Sequence, residues 1–319
     1  MTAALLTLAE PVRAEWYGEA IDLMGTRVSV ELWHDDPDAG EALVADVLNE
    51  YRRIDRLMST YKADSEISRL NNSAVAGPVE IDRELFDLIG RALALSQASS
   101  GAFDISYESI GYLYDFRRRI RPDTEQLRRG LEAVDFSRIQ LDEQTATVFF
   151  EVEGMRINLG GIAKGYAVER GAAMLAEQGV RHALLNAGGD SRVLGDRRGE
   201  PWVIGIRHPR ADGEVFTRLP IVDEAISTSG DYERFFDEDG RRYHHIIDPT
   251  TGEPTNGMLS VTVMGPDATI TDGLSTTVFV LGVEAGIDLI ESFEGYESVV
   301  VDSGGGLHYS QGLVAPGDN

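Results

Sequence analysis

The stretch Asn158-Leu159-Gly160-Gly161-Ile162-Ala163-Lys164-Gly165 sets two adjacent glycines just ahead of a lysine and a run of helical spacing. Without Cβ atoms, Gly160 and Gly161 let the main chain approach a bound group closely. Free amides at a helix start, together with the Lys164 ammonium, favour an anion there. A capping turn packed on a sheet has the same signature. Farther along, Asp272 and Thr276 in Asp272-Gly273-Leu274-Ser275-Thr276 lie one helical turn apart, so a carboxylate and a hydroxyl face the same side. Taken alone, Asp272 could equally cap a helix and Thr276 bond back to the preceding turn. His245, within Tyr243-His244-His245-Ile246-Ile247-Asp248-Pro249, is the histidine set for chemistry. Its neutral ring can accept a hydroxyl proton, and its charged form can bind phosphate. The plain alternative is a structural histidine bonded to Asp248 or Tyr232. His244 should point the other way if the segment is a strand, and Asp248 to Gly252 reads as a turn.

These residues need a scaffold. Alternation of Val28, Val30 and Leu32 predicts a strand, and Leu43, Val47, Leu48, Tyr51, Ile54, Leu57 and Met58 mark one face of a helix over 42–58. Further helices are predicted over 83–99, from the paired glycines to Gly179, and over 272–281 and 285–293. Two β-like runs at 139–141 and 147–150 flank a polar connection of hairpin length. Short β-like runs recur at 183–185, 202–206, 219–222, 245–247, 259–264 and 298–301. Strands mixed with helices, lacking a regular βαβ repeat, predict an α+β fold of mixed sheets with packed helices. The segment 100–124, carrying Arg117-Arg118-Arg119, reads as an irregular excursion. No repeat or linker is visible, so 21–319 reads as one domain and 1–20 as an N-terminal extension or signal-peptide remnant.

Of 319 residues, 42% are apolar, enough for a substantial core. The balance of 29 basic and 54 acidic residues gives −25, which argues against nucleic acid or an anionic membrane as partner. The absence of cysteine excludes disulfides, thiolate metal sites, cysteine nucleophiles and a lipid-anchoring cysteine. Ala3 to Ala9, then Val12-Arg13-Ala14, has the look of a secretory hydrophobic region and cleavage site without its basic start. The expectation is a soluble protein exported to the periplasm or cell envelope. No run approaches the roughly 20 apolar residues that span a bilayer.

Four blocks, Ser227 to Tyr232, Tyr243 to Pro249, Gly252-Glu253-Pro254 and Asp272 to Thr276, resemble in order and spacing the ApbE-type flavin transferases. Met24-Gly25-Thr26, Met58-Ser59-Thr60-Tyr61, Gly101-Ala102-Phe103-Asp104 and Asn186 to Asp190 extend the resemblance, which runs from Met24 to Gly282. It implies an ApbE-like, T-fold-like architecture and magnesium-dependent transfer of FMN from FAD to a threonine or serine hydroxyl of a target protein, releasing AMP. The implied target carries a flavinylation motif of the type Asp-Gly-x-Thr-Gly-Ala-Thr, in a subunit of a respiratory or redox membrane complex. Breaking a pyrophosphate requires neutralisation of phosphate charge, which a hard divalent ion with oxygen ligands supplies. By resemblance, Mg2+ is held by Gly161 through a backbone oxygen, Asp272, Ser275 and Thr276. FAD is contacted by Met24, Tyr61, Ala102, Phe103, Asp104, Asn158, Lys164 and Ile246. Tyr61 can stack on a flat ring, Met24 can meet its edge, and Asp104 can bond ribose or adenine. His245 and Asp272 are the candidates for assisting deprotonation. Two departures stand out: Asn158 replaces the family's usual aspartate, losing a negative charge, and Ile105-Ser106 replaces Pro-Thr. Attack by water would make the chain an FAD pyrophosphatase; loss of catalysis would leave an FAD-binding protein.

Overall fold

The computed structural model describes residues 15–211 and 213–313, so the leader-like segment at 3–14 lies outside the described residues. Alternating apolar positions build an eight-stranded sheet in which all neighbours run antiparallel. Its order is Glu15–Leu23, Thr26–His34, Ala183–Ala187, Asp190–Leu194, Ala225–Gly230, Met258–Gly265, Glu297–Asp302 and Leu307–Tyr309. Helices Pro37–Met58, Ala163–Glu177, Ala268–Leu281 and Val283–Glu291 pack on one face. A hairpin of Trp202–Arg207 and Val215–Ile221 covers the other, setting Trp202 and Ile221 against Val193, Ile226, Met264 and Val299. Met258–Gly265, between these layers, is therefore buried at every position. The architecture is α+β.

Caps explain where helices begin. Asp36 accepts the amides of Asp38 and Ala39, and Pro37 suits the first turn, so the first helix starts at Pro37 and not at 42. Asp267 likewise accepts from Thr269 and Ile270. The helix bearing Asp272 consequently starts at Ala268, and Asp272 lies in its interior instead of capping it. Gly282, with φ at 88°, separates that helix from Val283–Glu291, which begins two residues before the apolar pattern indicates. The hairpin Ile139–Asp142 with Thr147–Phe150 forms as its pattern predicts and gains Val79–Glu80 as a third strand.

Several strands escape the pattern, Asp190–Leu194 and Leu307–Tyr309 among them. Glu15–Leu23 is an edge strand, open enough to solvent to blur its alternation. Ala225–Gly230 is rich in serine and threonine because its inward hydroxyls bond the helix packed above: Ser227 Oγ lies 2.8 Å from Thr271 Oγ1. The expected strand at 245–247 is instead Arg241–His244, paired with Phe235–Glu238. Between 100 and 124 the chain makes short helical turns at Ile105–Tyr107 and Glu108–Gly111 and a bridge between Asp115 and Ile120.

Candidate active site

Helix Ala163–Glu177 meets helix Ala268–Leu281 so closely that Gly165 has no room for a side chain: a Cβ would overlap the Ala268 carbonyl and lie 2.6 Å from Asp272 Cβ. That approach lets the Gly165 N–H donate to Asp272 Oδ2 at 2.9 Å, fixing the carboxylate. Lys164 Nζ sits 2.7 Å from Asp190 Oδ2 and 3.3 Å from Asp272 Oδ1. Two carboxylates, each 2% exposed, thus share one ammonium. Burial, then the Asp190 charge, pushes the Asp272 carboxyl well above its ordinary range, against the pull of Lys164 and the Gly165 amide. For Lys164 burial acts downward, but Asp190 and Asp272 outweigh it and hold the ammonium charged.

Beside this excess of negative charge stand Thr276 and the Gly161 backbone, both facing a cavity of about 1220 Å³. Thr276 Oγ1 makes no bond to the preceding turn, whereas Thr271, Ser275 and Thr277 all do. A Cβ on Gly161 would lie 3.2 Å from Phe103 and 3.4 Å from Thr276 Oγ1, so glycine keeps that corner open. Carboxylate, hydroxyl and main-chain oxygen form a donor set that fits a hard divalent cation. Ser275 is placed differently: buried behind the cavity wall, it donates to the Asp272 carbonyl and lies 2.8 Å from Ser229 Oγ. Ser229, itself on the cavity wall, in turn reaches Thr276 Oγ1 at 3.3 Å, so it links Ser275 behind the wall to Thr276 in front. Among the described residues, no three His, Cys, Asp or Glu side chains cluster for a metal, so such a centre depends on hydroxyl and backbone oxygens.

Met24, Tyr61, Ala102, Phe103, Asp104, Asn158, Lys164, His245 and Ile246 also line the cavity. Met24 and Gly25 both have positive φ, 53° and 72°, in the two-residue turn joining Leu23 to Thr26. This turn geometry matches the twist of its flanking strands and presents Met24 at the rim. Tyr61 is 83% exposed, a free aromatic face at the mouth and not a core residue. Asp104 also serves the fold. Its Oδ1 accepts from the Ser106 amide and hydroxyl and its Oδ2 from the Phe136 amide, so both oxygens take part in holding the fold.

His245 and His244 diverge, although the strand ends at His244 and alternation does not extend to His245. His244 is buried, its Nε2 3.0 Å from the Thr255 carbonyl and its ring edge-on to Phe279. His245 lines the cavity, with its Nδ1 buried and without a hydrogen-bond partner among the described residues; neither Asp248 nor Tyr232 engages it. Burial first, then the Arg234 charge, lowers the imidazolium to about 3, so the ring is neutral near pH 7. Sequence reasoning passed over Arg234 and Glu108, both on the cavity wall. Glu108 carried a faint signal as a lone charge among the apolar and aromatic residues 105–114, while Arg234 carried none.

Residues 24–300 match the sequence model of the ApbE family. An FAD:protein FMN transferase of Klebsiella pneumoniae (strain 342) is 35% identical over 289 residues, covering 89% of each chain. An enzyme of that name from Treponema pallidum (strain Nichols) is 32% identical over 321 residues, covering 95% of this chain and 89% of its own. In three dimensions the ApbE protein of Thermotoga maritima is similar with a TM-score of 0.85 at 32% identity, over 93% of this chain and 98% of its own. The flavin transferase ApbE of Vibrio cholerae gives 0.82 at 29% identity, over 93% and 96%.

Proposed function

The chain belongs to the ApbE family, and from that premise we propose that it transfers the FMN half of FAD to a threonine or serine hydroxyl of a target protein, with Mg2+ bound and AMP released. The observation that carries this reading is convergence in one cavity. A neutral His245 lines the space onto which Lys164, Asp272, Thr276 and the Gly161 backbone open.

Mg2+, held by Asp272, Thr276 and the Gly161 backbone, would neutralise the pyrophosphate oxygens and the charge gathering on the leaving phosphate. Lys164 adds a fixed positive charge beside them. The acceptor oxygen attacks the FMN-side phosphorus; as that P–O bond forms, the bond to the bridging oxygen breaks, and its electron pair leaves with AMP. The hydroxyl proton passes to the His245 ring at Nε2, the nitrogen that is not sealed off. His245 suits this step better than Asp272, whose oxygens already face the Gly165 amide and the Lys164 ammonium. Phe103 and Ile246, apolar members of the wall, limit water that would compete with the acceptor. A target in a redox membrane complex and export to the envelope belong to the same proposal. Among the described residues no helix is long and apolar enough to cross a membrane, and N-terminal sequencing of protein recovered from the envelope would read any cleavage before Glu15.

The test is mass spectrometry of a peptide bearing Asp-Gly-x-Thr-Gly-Ala-Thr after incubation with the protein, FAD and Mg2+. One FMN added to threonine, and lost with chelator, is the expected result; free FMN and AMP without adduct would point to hydrolysis, and intact FAD would count against catalysis. In the same assay His245→Gln should slow transfer by about 10²-fold or more with little change in FAD affinity. An equal loss in both would make His245 a binding residue.

A further inference from the structure

Asn158 lines the cavity, but its carboxamide is tied to neighbouring groups of the protein. The Gly160 N–H, which can only donate, lies 2.7 Å from Asn158 Oδ1 and so fixes which way the carboxamide points. The amide nitrogen is left to donate to Thr60 Oγ1 at 3.2 Å and to Glu108 Oε2 at 2.9 Å. The carboxamide is therefore spent on the protein itself. Glu108 is 7% exposed and lines the cavity, and its second oxygen, Oε1, has no hydrogen-bond partner among the described residues, yet is not sealed away. A buried carboxyl with one oxygen tethered and the other open to a ligand cavity is arranged to receive a donor.

We propose that Glu108, tethered by Asn158, is an FAD-binding residue of this chain, accepting a hydrogen bond from a neutral N–H or O–H group of the dinucleotide. This rests on the reading that FAD occupies the cavity. The carboxylate lies across the hydrogen bond from Asn158, on the short helical turn Glu108–Gly111. Asparagine at 158 is then a requirement and not a weakened aspartate. An aspartate there would bring a second carboxylate to within hydrogen-bond distance of Glu108, where like charges raise the energy of both.

Aspartate at position 158 is therefore expected to be harmful in this chain. FAD affinity of the full-length protein would be measured at pH 8 by flavin fluorescence for wild type, Glu108→Gln, Asn158→Asp and the double variant, with circular dichroism confirming folding. Each single change should weaken FAD binding roughly tenfold or more, the size expected for a hydrogen bond to a charged group. In the double variant the loss should be smaller than the two losses combined, because a carboxamide at position 108 can donate to a carboxylate at position 158. Glu108→Gln should also raise the FAD KM while leaving kcat nearly unchanged, a split that general loosening of the fold would not give. Titrations with AMP and FMN separately locate the donor, since only the half that Glu108 contacts loses affinity in Glu108→Gln. Wild-type affinity in Asn158→Asp, or in Glu108→Gln, would overturn the inference while leaving the transferase reading intact. Failure of wild type to bind FAD would instead overturn that reading.

Discussion

Asp272 combines a neutral contact with a charged one: the Gly165 amide holds one oxygen, and Lys164 stands beside both. Asp272→Asn keeps the shape and can still accept from Gly165 while losing the charge that a cation needs. Wild type should gain thermal stability on adding Mg2+, by about 2.7 kcal/mol when the ion is at a hundred times its dissociation constant, and Asp272→Asn should gain none. Equal thermal shifts in both proteins would place the ion elsewhere. Glu108 supplies a pH prediction. Burial raises it from 4.5 to about 7, only partly opposed by the Asn158 hydrogen bond and the Arg156 charge. The folded state therefore holds this proton more tightly than the unfolded one. Its contribution to stability is complete below pH 4.5 and is lost as pH rises through 7. Urea midpoints taken from about pH 4 to 8 should show wild type losing ground to Glu108→Gln across that window, and parallel profiles would contradict so buried a carboxyl.

At the scale of elements, the site depends on how near two helices can come. Gly165 and Asp272 touch because helix Ala163–Glu177 presents a glycine to helix Ala268–Leu281. Gly165→Ala would force the helices apart against backbone, which cannot rotate aside as a side chain can. A destabilisation at the upper end of about 1–3 kcal/mol is expected, read from the urea midpoint, with Mg2+ response and turnover falling together. Preserved stability would mean the helices slide freely. The helix over 268–281 was legible from its apolar positions, but its start was not. Asp267 decides the start through two local hydrogen bonds, which leave no mark on the apolar pattern. The strand Ala225–Gly230 was illegible for the opposite reason: its buried face is polar, satisfied by hydroxyls of another element.

Over the whole molecule, the sheet divides two tasks. One face carries the helices that build the cavity, and the other is sealed by the hairpin containing Trp202, which is buried against Trp16, Val193 and Met264. Trp202→Ala should lower stability by about 3–5 kcal/mol, measured by urea unfolding, because a large buried ring leaves a void. FAD affinity below the unfolding transition should change little, since Trp202 is not on the cavity wall. A large loss of affinity would show that the covering hairpin tunes the site through the sheet.

The sequence by itself determined the elements whose signal is local: the alternation of Val28, Val30 and Leu32, the apolar stripe over 42–58, the hairpin at 139–150, and the glycine turn before Lys164. Short-range order and spacing also carried the family, because the motif blocks recur at fixed places along the chain. Only the tertiary structure decided what those motifs touch. It turned Asp104 inward to cap a turn, set Ser275 behind the wall, paired Asp190 and Asp272 around a single lysine, and tied Asn158 to the buried carboxyl of Glu108. Asn158 and Glu108 are 50 residues apart along the chain, and Lys164 and Asp272 are 108 apart. A hydrogen bond or charge pair at that separation has no periodicity to betray it. It exists only once packing has brought the two groups into one low-dielectric space, where each fixes the other's charge and direction.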